Sequence, residues 1–233
     1  MDNFFIAGTD TGVGKTVLSL LLMRYFYRNG YTPFYLKPFQ TGCNDPRDET
    51  SDAKFIYSNI DQLKERDPAE SVVYCCNNPK APWFACRDMG SYADPLQVMK
   101  VLEEKSRGFC PVIMEAAGGL LVPVTNSFLV IDMIKLSGAK IVLAARSGLG
   151  TINHTLLSIE ALRKRGMMPT GIVFMNAGDI TDSAEVISEN MEAVHRFSGI
   201  QVAGIINRMD DFSGPEEQVD MIFDGLLKLK GTV

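Results

Sequence analysis

Gly8-Thr9-Asp10-Thr11-Gly12-Val13-Gly14-Lys15-Thr16 lies between the apolar run Asn3–Ala7 and a helix-like stretch, Val17–Arg28, that Asn29-Gly30 closes. Strand, glycine-rich turn and helix in that order are the setting in which a GK[ST] string binds phosphate. Glycines let backbone N–H groups converge on phosphate oxygens without Cβ atoms in the way, and the helix N-terminus adds a favourable dipole. Lys15 is placed to reach the β and γ phosphates, and Thr16 to ligate Mg²⁺. Counted from Gly8, the loop is one residue longer than the strict GxxxxGK[ST] pattern. The competing account, a glycine-rich turn beside a surface lysine, does not explain the whole string in this setting. Gly12, Val13, Gly14, Lys15, Thr16 and Val17 are therefore assigned to the nucleotide.

Outward from the loop, short runs rich in Val, Ile or Phe recur at Phe34–Leu36, Pro111–Met114, Lys140–Ala144, Gly171–Met175 and Val202–Ile206. Helix-like segments at Thr151–Arg165, Asp182–Phe197 and Glu216–Lys228 separate or follow the last of them. This alternation predicts right-handed crossovers and an α/β, P-loop NTPase-like fold: a mainly parallel sheet with helices on both faces. The stretch from Asn44 to Met89 differs. It is rich in Asp, Asn and Pro, with one short helix expected over Asp52–Ile60, and reads as an excursion that covers a ligand. Without a repeat or a linker, residues 1–233 are expected to form one domain, with the last four residues frayed.

Composition narrows the function. At 233 residues, 46% hydrophobic and 22% charged, the chain is long enough for a full core. A net charge of -5 provides no global positive field for nucleic acid or an anionic membrane, so an anionic ligand must be held locally. Five cysteines without finger-like spacing read as reduced thiols, and no apolar run approaches the roughly 20 residues of a bilayer span. A cytoplasmic location is expected.

A phosphate loop does not name a reaction. The order GTDTGVGKT at Gly8, KPFQTG at Lys37, SDA at Ser51, EAAGGLLVP at Glu115 and LGTINH at Leu149 resembles dethiobiotin synthetases, over about residues 3 to 177. The resemblance implies a homodimeric, ATP- and Mg²⁺-dependent enzyme that closes the ureido ring of dethiobiotin from 7,8-diaminononanoate and CO₂, releasing ADP and phosphate. A carbamate forms on one amine, the γ-phosphoryl group passes to it, and the second amine attacks the mixed anhydride. Charge gathers on phosphoryl oxygens throughout, so cations and backbone donors carry the catalysis.

Transferred residue by residue, the resemblance makes Lys37 and Lys15 catalytic, and gives substrate contacts to Thr11, Lys37, Thr41 and Gly118. On the sequence alone, Lys37 is a lysine at the end of the second strand, where solvent is the ordinary surrounding. Replacing it by Ala is expected to remove turnover while largely sparing folding. Thr16, Asp52 and Glu115 form the implied Mg²⁺ set, all oxygen ligands. Asp52 by itself would read as a carboxylate at a helix start. Ala116, Ala117 and Gly118 make a small-residue turn that backbone can use near phosphate. The helix start Leu149-Gly150-Thr151-Ile152-Asn153 is implied to receive the substrate carboxylate from across the dimer interface. Asn176, with Ala177 and Ile205, Ile206 and Asn207, is implied to hold the adenine. Where some relatives carry glutamate this chain has Gly12, and where many have a proline turn it has Gly204–Arg208. His154 is expected to pack or cap, since the implied chemistry does not need an imidazole.

Two rival classes share this fold. A partitioning or cell-division ATPase switch usually carries a second lysine early in the loop, where this chain has Asp10, and no basic amphipathic C-terminal helix is present. An amide-forming ligase of the cobyrinate type normally carries a glutaminase domain, for which there is no room.

Overall fold

The computed structural model describes residues 2–176, 183–209, 211–212 and 217–228. Seven strands, β1 (Phe4–Gly8), β2 (Phe34–Thr41), β3 (Val72–Cys76), β4 (Val112–Glu115), β5 (Lys140–Arg146), β6 (Gly171–Asn176) and β7 (Val202–Asn207), form one sheet in the order β3-β2-β4-β1-β5-β6-β7. Every neighbouring pair is parallel. The helices are α1 (Lys15–Arg28), α2 (Asp52–Ser58), α3 (Pro82–Asp88), α4 (Pro95–Ser106), α5 (Val130–Ser137), α6 (Thr151–Arg163), α7 (Ala184–Ser198) and α8 (Glu217–Lys228). Among the described residues no helix is long and apolar enough to cross a membrane.

The apolar strand runs are continuous because both sheet faces are covered. Along β1, Phe4 and Ile6 pack with Leu18, Leu22 and Phe26 of α1, whereas Phe5 and Ala7 face the opposite core with Ile131, Ile159 and Phe174. The chain leaves β1 to one side for β2 to β4 and to the other for β5 to β7, so the carboxyl edge beside β1 is where a ligand crevice forms.

The predicted parallel sheet is present, with two corrections. The second strand does not end at Lys37 but runs on to Thr41. Its pairing with β4 stops at Leu36, opposite Met114, and pairing with β3 then takes over at Lys37, Phe39, Gln40 and Thr41. Pro38 falls in neither register, so its missing N–H breaks no ladder bond. The excursion from Asn44 also contains more than one helix: it supplies edge strand β3 as well as α2 and α3. The Asp182 start of the seventh helix, Glu216 and the C-terminal Lys230–Val233 lie outside the described residues. All five cysteines are free thiols.

Candidate active site

The phosphate loop takes the form its glycines require. Gly12 and Gly14 adopt φ 69 and 92, values that L side chains resist, and α1 starts at Lys15 without a side-chain cap. Gly8 has a different duty. A Cβ there would stand 2.9 Å from Asp10 O and 2.9 Å from Lys15 Cδ, so its hydrogen makes room for the lysine stem to fold back over the loop. Lys15 Nζ donates to Asp10 O at 2.9 Å. Only 7% exposed, Lys15 has its pKa lowered to about 8, chiefly by burial, with Lys37 adding to the effect against the pull of Glu115 and Asp52.

Next to the loop, the end of β4, the continuation of β2 and the start of α2 bring three charges together. Lys37, 4% exposed, places Nζ 2.6 Å from Glu115 Oε1 and 2.7 Å from Asp52 Oδ2. Burial would lower the Lys37 pKa, but the two carboxylates outweigh it and hold the ammonium above its ordinary value. Burial likewise acts to raise Asp52, yet Lys37 and Thr16 prevail and keep it below the usual carboxylate range. Thr16 Oγ1 lies 2.9 Å from Asp52 Oδ1 and 3.0 Å from Glu115 Oε1. Asp52 is fixed in turn by its N–H donating to Gln40 Oε1 at 3.0 Å at the start of α2, where Ser51 caps the helix.

These groups line a cleft of about 600 Å³. It takes in Thr11, Gly12, Gly14, Thr16, Val17, Thr41, Ala116, Ala117 and Gly118 together with Lys15, Lys37, Asp52 and Glu115. Val13 is the exception in the loop, since its side chain is in the core and leaves only backbone for a ligand. Phe39, Pro79, Pro82 and Val122 give the cleft an apolar wall that the sequence did not single out.

The remaining predicted residues stand apart from this cleft. Asn176 is buried at the end of β6, with Nδ2 donating to Asn207 Oδ1 at 3.2 Å and Oδ1 accepting from Ser147 Oγ at 3.4 Å. Asn190 Nδ2 donates to Ser147 O at 2.9 Å, so two unpredicted residues hold this amide pair. A Cβ on Gly14 would come within 3.1 Å of Met175 Cε, which puts the end of β6 against the phosphate loop. Ile206 points into the core, Ile205 is half-buried, and Ala177 lies outside the described residues.

The start of α6 departs from expectation. Thr151 is buried, its hydroxyl 3.2 Å from that of Thr155, and its N–H donates to Gly148 O at 3.1 Å. Only the backbone of Ile152 and Asn153 remains as a generic helix-start donor pair. Leu149 is 97% exposed and His154 is exposed rather than packed. Arg146, a further residue that sequence reading passed over, donates from Nη2 to Thr11 O at 3.5 Å.

An AAA-domain family model matches residues 2–216. The chain is 33% identical over 224 residues to the ATP-dependent dethiobiotin synthetase BioD of Methanocaldococcus jannaschii, covering 92% of this chain and 98% of that protein. It is 37% identical over 183 residues to the BioD of Anaeromyxobacter sp. strain K, covering 78% and 80%. The biotin biosynthesis bifunctional protein BioCD of Bordetella avium is 38% identical over 206 residues, but the chain spans only 39% of its length. Among solved structures, the MinD cell division protein of Aquifex aeolicus superposes with a TM-score of 0.58 at 14% identity, covering 100% of this chain and 98% of that one. A ParA family ATPase from Chlorobium tepidum superposes with a TM-score of 0.53 at 8% identity, covering 100% and 93%. Such low identities speak for the fold alone. Matched along nearly the full length of a BioD protein at 33% identity, the chain belongs to the ATP-dependent dethiobiotin synthetase family.

Proposed function

We propose that this protein closes the ureido ring of dethiobiotin from 7,8-diaminononanoate and CO₂ at the expense of ATP, releasing ADP and phosphate. The observation that carries the reading is Lys37: a buried ammonium at hydrogen-bond distance from both Asp52 and Glu115, facing the same cleft as Lys15 and the phosphate loop. A reaction that moves a phosphoryl group onto a carbamate needs cationic donors on both sides of the transferred group, and Lys15 and Lys37 supply them.

Thr16, Asp52 and Glu115 fit a hard divalent cation. One oxygen of Asp52 and one of Glu115 lie 2.9 and 3.0 Å from the Thr16 hydroxyl, and among the described residues no sulfur or imidazole joins them. These three residues would hold Mg²⁺, which when bound neutralises charge on the phosphate oxygens. The glycine loop and the α1 N-terminus bind the phosphates, and the Asn176–Asn207 pair offers amide donors and acceptors to the base.

For the diamine, Thr41 and Gly118 line the same cleft as Lys37, with the Phe39 and Val122 wall available to its carbon chain. Lys37 orients the carbamate, and Lys15 stabilises the γ-phosphoryl group as it leaves ADP. Attack of the second amine on the acyl carbon then expels phosphate and closes the ring. The Leu149–Asn153 start of α6 serves the carboxylate of a diamine bound by a second copy of the chain, as a cytoplasmic homodimer.

The test is phosphate release from ATP with Mg²⁺ and bicarbonate, with and without 7,8-diaminononanoate, alongside mass detection of the product. Diamine-dependent release matched by dethiobiotin is the expected result. Hydrolysis that ignores the diamine and yields no dethiobiotin overturns the reading.

A further inference from the structure

Glu115 is 1% exposed, and its two carboxylate oxygens look in different directions. Oε1 meets Thr16 Oγ1 and Lys37 Nζ, both of which line the cleft. Oε2 turns toward the core between β2 and α1. There it accepts from Tyr35 OH at 2.8 Å and from Ser19 Oγ at 2.9 Å. Tyr35 is 1% exposed and Ser19 0%.

Tyr35 pairs with Ile113 in the β2–β4 register, and Ser19 stands one helical turn after Lys15 on α1. The two hydroxyls therefore reach the same oxygen from a strand and a helix that are each rigidly packed. Both are costly groups to bury. A phenylalanine at 35 and an alanine at 19 would fill the same space without a polar atom to desolvate, so each hydroxyl must be matched by its hydrogen bond. Ser19 has one proton and two acceptors within reach, Glu115 Oε2 and Lys15 O, both at 2.9 Å. The bond to the charged carboxylate is the stronger.

Two donors on one oxygen from different directions fix the plane of a carboxylate; with one of them lost, rotation about its terminal torsion is less restrained even while Lys37 and Thr16 hold the other oxygen. We infer that Tyr35 and Ser19 are positioning residues for the reaction: together they lock Glu115 so that Oε1 alone is presented to the cation and to Lys37. The inference rests on the proposed role of Glu115 as a cation ligand.

The experiment uses the full chain and Mn²⁺ as the probe, titrated in the presence of ATP and followed by electron paramagnetic resonance, with steady-state kinetics across Mg²⁺ concentrations. Tyr35→Phe keeps the ring in the core, and Ser19→Ala is a second, independent variant should the first fold poorly. Each is expected to weaken Mn²⁺ binding by about tenfold, the effect typical of groups that orient a metal ligand. Each should also raise the Mg²⁺ concentration needed for half-maximal rate more than it lowers the rate at saturating Mg²⁺. A purely structural role would lower the melting temperature without moving the cation midpoint. Glu115→Gln separates the two layers of the argument. If it weakens Mn²⁺ binding while folded Tyr35→Phe and Ser19→Ala do not, the positioning role is overturned. If Glu115→Gln itself leaves Mn²⁺ binding unchanged, the cation role beneath it falls as well.

Discussion

In the cleft the charged groups are partnered within the chain, whereas the Leu149–Asn153 loop, apart from the cleft, stands largely in solvent. Lys37, Asp52 and Glu115 are joined with Thr16, Ser19, Tyr35 and Gln40 by contacts of 2.6 to 3.0 Å, and the Lys15 ammonium rests on Asp10 O at 2.9 Å. In the loop, Leu149 is 97% exposed, and the one well-buried hydroxyl, that of Thr151, is spent on Thr155. The first region is organised before any ligand arrives, which is where electrostatic catalysis gains most. The second offers a helix start and an exposed leucine, the kind of surface that acts once something else packs on it.

The largest effect is expected where the first region is broken at its centre. Lys37→Ala should lower turnover by roughly 10² to 10³, the cost of losing a donor to developing charge. Contrary to the expectation from the sequence, it should not spare folding. With the ammonium gone, the nearly inaccessible Glu115 keeps only its hydroxyl donors and Asp52 loses its counter-ion, and removing one member of a buried pair costs about 3 kcal/mol. Denaturant unfolding read beside the kinetics checks both parts. Turnover within a few-fold of wild type would mean that the pair is structural and the cleft works without it.

The second region is tested by charge. Leu149→Asp should raise the KM for the diamine by roughly tenfold, a loss of about 1.4 kcal/mol of binding, and should weaken self-association in sedimentation runs. ATP affinity should not move, because the phosphate loop is built without this residue. Equal damage to ATP and diamine binding would erase the distinction between the two regions.

A pH series sharpens the contrast further. The folded Lys15 pKa, about 8, lies below its unfolded value of 10.5. Between them the unfolded chain holds a proton that the folded chain has released. This group therefore makes stability rise with pH across that window. ATP binding runs the other way, since phosphate needs the ammonium, and affinity should fall as pH climbs past about 8, by up to roughly tenfold per unit. Calorimetric titration of ATP from pH 7 to 9.5 reads it, and Lys15→Arg should flatten the profile. A flat wild-type profile would place the lysine away from the nucleotide.

The same contrast decided what the sequence disclosed. The phosphate loop was legible because its glycines, lysine and strand-to-helix setting are all local, and six strands were legible as runs of Val, Ile and Phe. Strand β3 was not, because four of the five residues from Val72 to Cys76 are only half-buried at the sheet edge and sit among Asp, Asn and Pro. The extension of β2 hid behind Pro38, which ordinarily ends a strand and here falls between two registers. Helix α4 had a signal that was passed over: Asp94 before Pro95, with the carboxylate accepting from Leu96 N at 2.8 Å. Ser19 and Tyr35 gave none, since a polar residue inside an apolar run shows its purpose only when its partner, Glu115, is brought alongside from some 80 or more residues away.

The smallest effect is expected from a residue that the resemblance made a substrate contact. Thr151 lies at the start of α6, but it is 3% exposed and its hydroxyl faces Thr155, so a carboxylate bound here as proposed would meet backbone and not that hydroxyl. Thr151→Val keeps the β-branched shape and removes one half of a buried hydrogen bond. The cost should be about 1 kcal/mol of stability, with the Thr155 hydroxyl left to find another acceptor. The KM for the diamine should stay within twofold. Thr155→Val provides the control, since it breaks the same bond from the other side and should give a matching loss of stability. The double variant should cost less than the sum, because both hydroxyls then leave the site together. A tenfold rise in KM for Thr151→Val alone, with Thr155→Val unaffected, would instead mean that the Thr151 side chain turns outward to the ligand. The loop would then be as much a side-chain site as the cleft.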